Sequence, residues 1–343
     1  MRSANSISPK SMWRRFREQG ARKSVVRWLL DSDPSIRWQV MRDLTGGPRE
    51  LVAAERSRVA SEGWGARLLG LQSPEGEWGD GISTPKWRSN LFILLTLRAL
   101  GLDPTSAPAR TAVGLVRDRV TWGPEFGDSP FFDGEVEPCI NGGVMALGGY
   151  FGETRDRLVD RILGEQLQDG GWNCEAERGS VRSSFHTTIC VLEGLLAYEK
   201  ARGATAAVTH ARVRAHEYLL ERRMFRRLSS GEVIDRGWTR FSFPVTWHYD
   251  VLRGLDYLRS AGVGPEERVA EAVGLVAKRR HQNGRWPLHE PHPDPVHFEM
   301  ENGRGKPSRW NTLRALRVLD WYSKASQTGG EHEGPGEERL GLG

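Results

Sequence analysis

Cysteine is scarce in this 343-residue chain: Cys139, Cys174 and Cys190 are the only three. Their uneven spacing excludes a disulfide framework and fits a reducing compartment, so a cytoplasmic location is expected. No apolar run approaches the ~20 residues that cross a bilayer. The start, "MRSANSISPKSMWRRFREQGARKSVVRWLL", lacks a continuous apolar core and a small-residue cleavage site, so no secretory signal is expected. Charge of one sign is also modest, at +5 from 49 basic and 44 acidic residues, and the first 27 residues alone hold eight Arg/Lys against one Glu. The excess is therefore largely a basic N-terminal arm, read as a solvated extension. Without a basic patch interleaved with aromatics, no nucleic-acid partner is expected. A mononucleotide loop is missing as well, because "NGRGKPSRWN" (302–311) has neither the G-x-x-x-x-G-K-[ST] spacing nor a preceding strand.

Glycine and tryptophan are abundant, at Gly 40 and Trp 13 against Tyr 6, and they fall into repeats. "LLGLQSPEGEWGDG" (68–81), "LGEQLQDGGWN" (163–173) and "LVAKRRHQNGRWP" (275–287) share a helix end, a Gly turn and a Trp two residues after the first turn Gly. Looser copies surround Trp122 and Trp238. A second repeat follows each loop: "TLRAL" at 96–100 and again at 312–316, "VLEGL" at 191–195, and "VLRGL" at 251–255. "RWQVMRDL" (37–44) and "RWNTLRAL" (309–316) tie the two ends of the chain together. Trp172, repeated in this way, reads as a packing rivet, whereas Cys174 has no counterpart in the other loops.

Apolar spacing makes these segments helical and predicts six helical hairpins. First helices are expected near 11–31, 50–72, 106–120, 155–168, 208–226 and 265–281, with partners near 35–45, 86–101, 138–151, 184–200, 245–261 and 308–322. The first set carries polar stripes and should form an outer ring; the second is apolar nearly all round and should form a buried inner ring. The expected architecture is all-α, a single (α/α)6 toroid over 25–323, with a basic arm at 1–24 and a disordered tail at 324–343.

"LQSPEGEWG" and "EQLQDGGWN" resemble the QW-type repeats of squalene/hopene cyclases, and the Gly-Gly-Trp loop is similar to loops in protein prenyltransferase β subunits. The resemblance covers roughly 25–322. It implies a double-ring toroid and an enzyme acting in the central cavity on a partly apolar small molecule, isoprenoids among the candidates. Prenyltransferase β subunits carry an Asp/Cys/His zinc site at their inner-helix ends. The cyclase D-x-D-D acid is absent here, as is a D-D-x-x-D diphosphate motif, so a standard class II triterpene cyclisation is not implied.

Helix N-termini offer free N–H groups, so the starts of the inner helices are where a site is expected. Cys139, Cys174 and His186 form a candidate three-ligand zinc set with an open position; the alternative is that both cysteines are small core residues. His186, His248, Asp250 and Glu135 are candidates for acid–base work, with Cys139 and Cys174 beside them. Trp87, Asn141, Trp247, Glu299, Arg309, Trp310 and Asn311 are candidates for substrate contact. Tryptophans next to carboxylates such as Glu135 and Glu299 also leave carbohydrate processing open, and a non-catalytic binding protein remains a third reading.

Overall fold

The structure, a computed structural model, describes residues 20, 22–78, 86–289 and 297–328; the side chain of Trp87 lies outside the described residues, as do most of the expected arm and tail. Local capping sets where many helices begin. The first helix, α1, spans 22–30. Asp33 accepts from Ser35 N–H ahead of α2 (Pro34–Asp43), with proline at its first position. The outer segment expected as one helix at 50–72 is broken into α3 (Arg49–Ser57) and α4 (Gly63–Leu69), where two glycines flank Trp64. Next come α5 (Lys86–Leu100), α6 (Ala107–Arg119) with Ser106 as cap, α7 (Pro138–Phe151) and α8 (Asp156–Gly164). Ser184 caps α9 (Phe185–Arg202), Thr205 caps α10 (Ala206–Glu221) and Asp250 caps α11 (Val251–Ser260). The chain continues through α12 (Ala270–Lys278) and a two-residue antiparallel pair, β1 (Trp286–Pro287) with β2 (Pro307–Ser308). The last described element is α13 (Arg309–Thr328), which runs past the expected tail boundary.

The helices build two concentric rings, an all-α toroid. Helices α2, α5, α7, α9, α11 and α13 form the inner ring and are joined in sequence. Trp38 Nε1 of α2 donates to Leu100 O of α5 at 2.9 Å. Between α7 and α9 the backbones meet through glycine: a Cβ on Gly142 would lie 2.6 Å from Cys190 C, and one on Gly194 2.4 Å from Gly142 O. Arg253 of α11 pairs with Glu193 of α9, and Arg314 of α13 faces Asp256 of α11. Arg317 Nη2 of α13 then donates to Gln39 Oε1 of α2 at 2.7 Å, which closes the ring.

The tryptophan loops lock outer helices to inner ones with one repeated geometry. Trp78, Trp172 and Trp286 are fully buried. Each indole N–H donates at 2.7 Å to a carbonyl ten residues earlier, Leu68 O, Ile162 O and Val276 O respectively. Each backbone N–H is held by the next inner helix, through Asn90 Oδ1, Thr188 Oγ1 and Thr312 Oγ1. Gln72 and Gln166 add a bridge to the next outer helix, donating to Ala112 O and Ala211 O. Trp172 is therefore a packing residue. The looser copies depart from this geometry: Trp122 Nε1 reaches Phe131 O, and Trp238 Nε1 is buried without a hydrogen-bond partner among the described residues. Among the described residues, no helix is long and apolar enough to cross a membrane.

Candidate functional site in the lumen of the ring

The inner ring encloses two adjoining chambers. The upper, about 300 Å³, lies at the N-terminal ends of α5, α7 and α9. Its apolar wall is Leu91, Phe92, Leu95, Ile140, Ala146 and Trp247, and Glu137, Cys139, Cys174 and His186 stand on its polar side. The lower, about 480 Å³, lies toward the C-terminal ends of α5, α7, α9 and α11. Phe92, Leu95, Glu193, Thr246 and Arg253 belong to the walls of both. Glu193 and Arg253 form a bidentate pair there, at 2.8 and 3.0 Å. Burial works against the Arg253 charge, but Glu193 outweighs it and holds the guanidinium pKa above its ordinary value.

The sequence brings two distant cysteines together in the upper chamber. Cys139 sits on the first turn of α7 behind Pro138; Cys174 follows the Trp172 rivet and opens a short 3₁₀ turn capped by Asn173. Their sulfurs are 3.0 Å apart, and Glu137 Oε2 lies 3.5 Å from Cys139 Sγ. The hydrogen bond shared by the two sulfurs lowers the Cys174 pKa, helped by Thr187 Oγ1 at 3.4 Å. Cys139 is pushed the other way, by the same hydrogen bond and by burial. The pair is thus polarised toward a thiolate on Cys174.

His186 does not join this group, which corrects the expected ligand set. Its Nδ1 accepts from Tyr249 N–H at 2.8 Å, and its ring packs edge-on against Trp238, Trp247 and His248. Burial pushes its pKa down to about 4, so it is neutral at pH 7 with its proton on Nε2. The third position beside the cysteines is taken by Glu137, and Glu137, Cys139 and Cys174 place ligand atoms within 4.8 Å of one another.

Several expected catalytic groups are structural instead. Glu135 is buried and folds its carboxylate onto the N–H groups of Val136 and Glu137, and burial raises its pKa. Asn141 clamps the same turn, accepting from Glu135 N and donating to Glu135 O, both at 2.8 Å. Asp250 spends its Oδ1 on capping α11 through Arg253 N. Asn311 donates to Phe241 O and Pro287 O. His248 stacks on Trp247 with ring centroids 3.8 Å apart and does not line either chamber. Glu299 is exposed, and Arg309 lies over Trp28 while donating to Asp31 O. Trp310 lines the lower chamber, stacked on Phe243. No Glu135/Glu299 carboxylate pair is built, because one member is spent on backbone and the other faces solvent.

Sequence reasoning missed the charge in the lumen, although the repeats encode it. "VMRDL", "TLRAL", "VLEGL", "VLRGL" and the second "TLRAL" place Arg42, Arg98, Glu193, Arg253 and Arg314 at one register of five inner helices; the matching "VMALG" of α7 puts Ala146 there. All six line one chamber or both. The signal was an ionic residue at a fixed place in otherwise apolar repeats.

No family model and no curated protein matches the chain. Among solved structures it is similar to the type II terpene cyclase MstE from Scytonema. The apo enzyme is 18% identical over 90% of this chain and 98% of that one, with a TM-score of 0.45. A variant in complex with its substrate, geranylgeranyl dihydroxybenzoate, is 17% identical over 90% and 97%, with a TM-score of 0.46. At that identity and TM-score neither activity nor substrate passes from MstE to this chain.

Proposed function

We propose that the protein is an enzyme of the terpene cyclase/prenyltransferase-like toroid class that binds a partly apolar small molecule in its lumen, with Glu137, Cys139 and Cys174 as a zinc site on the chamber wall. The observation that carries this reading is the convergence of two sulfurs and a carboxylate, from two neighbouring repeats, opposite the apolar wall of Leu91, Leu95 and Ile140 in one chamber. Two thiolates and a carboxylate suit zinc, and three protein ligands leave the fourth position for substrate or water. Two thiolates on one tetrahedral zinc stand roughly 3.8 Å apart, so the sulfurs, at 3.0 Å, would separate slightly by side-chain rotation. Zinc bound there would supply a Lewis acid or lower the pKa of a bound thiol or water.

The chain's own groups have narrower tasks in this reading. Cys174, biased toward thiolate, is the more readily deprotonated of the two cysteines. Neutral His186 presents an Nε2 proton and acts as a donor rather than a base. Leu91, Leu95, Ile140 and Trp247 exclude water from the apolar part of the ligand. The test is elemental analysis of protein purified without an affinity tag. About one zinc per chain is expected, lost in Cys174→Ala; substoichiometric zinc that Cys174→Ala leaves unchanged would count against the site.

A further inference from the structure

All three cysteines of the chain stand on the wall of the upper chamber, although they come from separate segments. Cys190 is buried and engaged: its Sγ donates to Trp247 O at 3.5 Å, and Arg253 Nη2 lies 3.7 Å away. Cys139 and Cys174 are half-buried, with their sulfurs 3.0 Å apart. Two cysteines packed as inert core residues would be closed off by apolar neighbours, whereas these two border the cavity. Zinc would hold two thiolates farther apart, at roughly 3.8 Å, so the metal site alone does not account for the contact. Sulfurs that already touch can be bridged without backbone movement.

The chamber selects what can reach such a pair. Leu91, Phe92, Leu95, Ile140 and Trp247 make much of its wall apolar, which favours an oxidant with a hydrocarbon body over a small polar one. The two sulfurs also differ in what surrounds them. Thr187 Oγ1 lies 3.4 Å from Cys174 Sγ, placed to hydrogen-bond an oxygen that this sulfur takes up. Cys139 stands on the other side of Cys174 Sγ, on the first turn of α7, within direct reach of it. That arrangement makes Cys174 the attacking sulfur and Cys139 the resolving one.

We propose that Cys139 and Cys174 are a redox-active dithiol, oxidised to a disulfide by an apolar organic hydroperoxide that enters the upper chamber. Cys174 Sγ attacks the terminal oxygen of the hydroperoxide, and the O–O bond breaks. The thiol proton passes to the departing alkoxide, which leaves as an alcohol, and Cys174 becomes a sulfenic acid. Cys139 Sγ then attacks Cys174 Sγ: the S–S bond forms, the S–O bond breaks, and hydroxide leaves with the Cys139 proton as water. Two thiols are oxidised and one peroxide bond is reduced. A low-molecular-weight thiol from solution returns the pair to the dithiol by exchange. The disulfide also withdraws two of the three ligands from the metal site proposed above. This deepens the lumen reading and rests on the upper chamber admitting a partly apolar molecule; it does not require zinc.

The test treats reduced protein, as purified and again after chelation with EDTA, with cumene hydroperoxide or hydrogen peroxide at equal concentration. Intact mass should fall by two hydrogens, and peptide mapping should link Cys139 to Cys174 and leave Cys190 free. Dithiothreitol should reverse the change. Cumene hydroperoxide should act about tenfold or more faster than hydrogen peroxide, and that preference should vanish in protein unfolded in urea. Cys139→Ser, checked as folded by far-UV circular dichroism, should stop at a dimedone-reactive sulfenic acid on Cys174. Zinc content is measured on the same untreated sample, so failure of the metal site and failure of the redox pair are separate results. No Cys139–Cys174 disulfide in either the as-purified or the chelated protein would overturn the proposal. Hydrogen peroxide acting as fast as cumene hydroperoxide on the folded protein would overturn the apolar oxidant.

Discussion

Replacing Trp172 and Trp238 separately with phenylalanine isolates what the repeated indole hydrogen bond contributes. Trp172 Nε1 donates to Ile162 O at 2.7 Å. That carbonyl is near the C-terminal end of α8, and Gln166 N–H, its expected helical partner, turns instead to Leu163 O. Trp172→Phe therefore removes ring volume and also leaves a buried carbonyl unpaired. The volume alone costs about 1–2 kcal/mol, and the orphaned carbonyl adds about 1–2 kcal/mol. Trp238 is also buried, but its Nε1 has no partner, so Trp238→Phe costs the volume term only and relieves an unpaired N–H. The expected totals are about 2–4 kcal/mol for Trp172→Phe and about 1–2 kcal/mol for Trp238→Phe. Urea unfolding followed by far-UV circular dichroism reads the difference as a shift in midpoint at equal slope. If Trp172→Phe is no more destabilising than Trp238→Phe, the indole bond is not what fastens these loops.

Two further expectations concern stability. Burial holds the pKa values of His186 and His216 down at about 4, against 6.5 when unfolded. Between those values the unfolded chain binds more protons, so stability is full above pH 6.5 and falls as the pH drops toward 4, by about 2–3 kcal/mol per histidine. Urea midpoints from pH 7 to pH 4.5 should fall, and should fall less in His186→Gln; an unchanged slope in that variant would refute the assignment. Gly170 has φ +98°, and a Cβ there would lie 2.6 Å from Arg214 O. Gly170→Ala should cost about 1–3 kcal/mol, visible as a lower melting temperature, and a neutral result would show that the turn relaxes freely.

The ring could be read from the chain because its determinants are local and repeated. Apolar spacing marks each helix, Ser, Thr or Asp marks many of its starts, and a Gly-x-Trp turn recurs at Trp78, Trp172 and Trp286, where an outer helix hands over to an inner one. The same local logic misassigned Glu135, Asn141 and Asp250. A polar residue at a helix start looks alike whether it awaits a ligand or satisfies its own backbone, and here all three satisfy backbone. The 50–72 helix was overextended because its apolar period continues across Ser61 and Glu62, whereas the backbone breaks there and restarts at Gly63 with φ +64°.

What the sequence determined by itself was the all-α repeat, its closure, and the tryptophans that fasten it, all set by contacts within or between adjacent repeats. Only the tertiary structure decided what meets across the lumen. It put Cys174 against Cys139, drew Glu137 into the place expected for His186, and paired Glu193 with Arg253. It also left Arg314 Nη1 buried beside the lower chamber with no hydrogen-bond partner among the described residues. These outcomes depend on how far each inner helix is rotated about its axis, which is fixed by packing such as the glycine contact between α7 and α9.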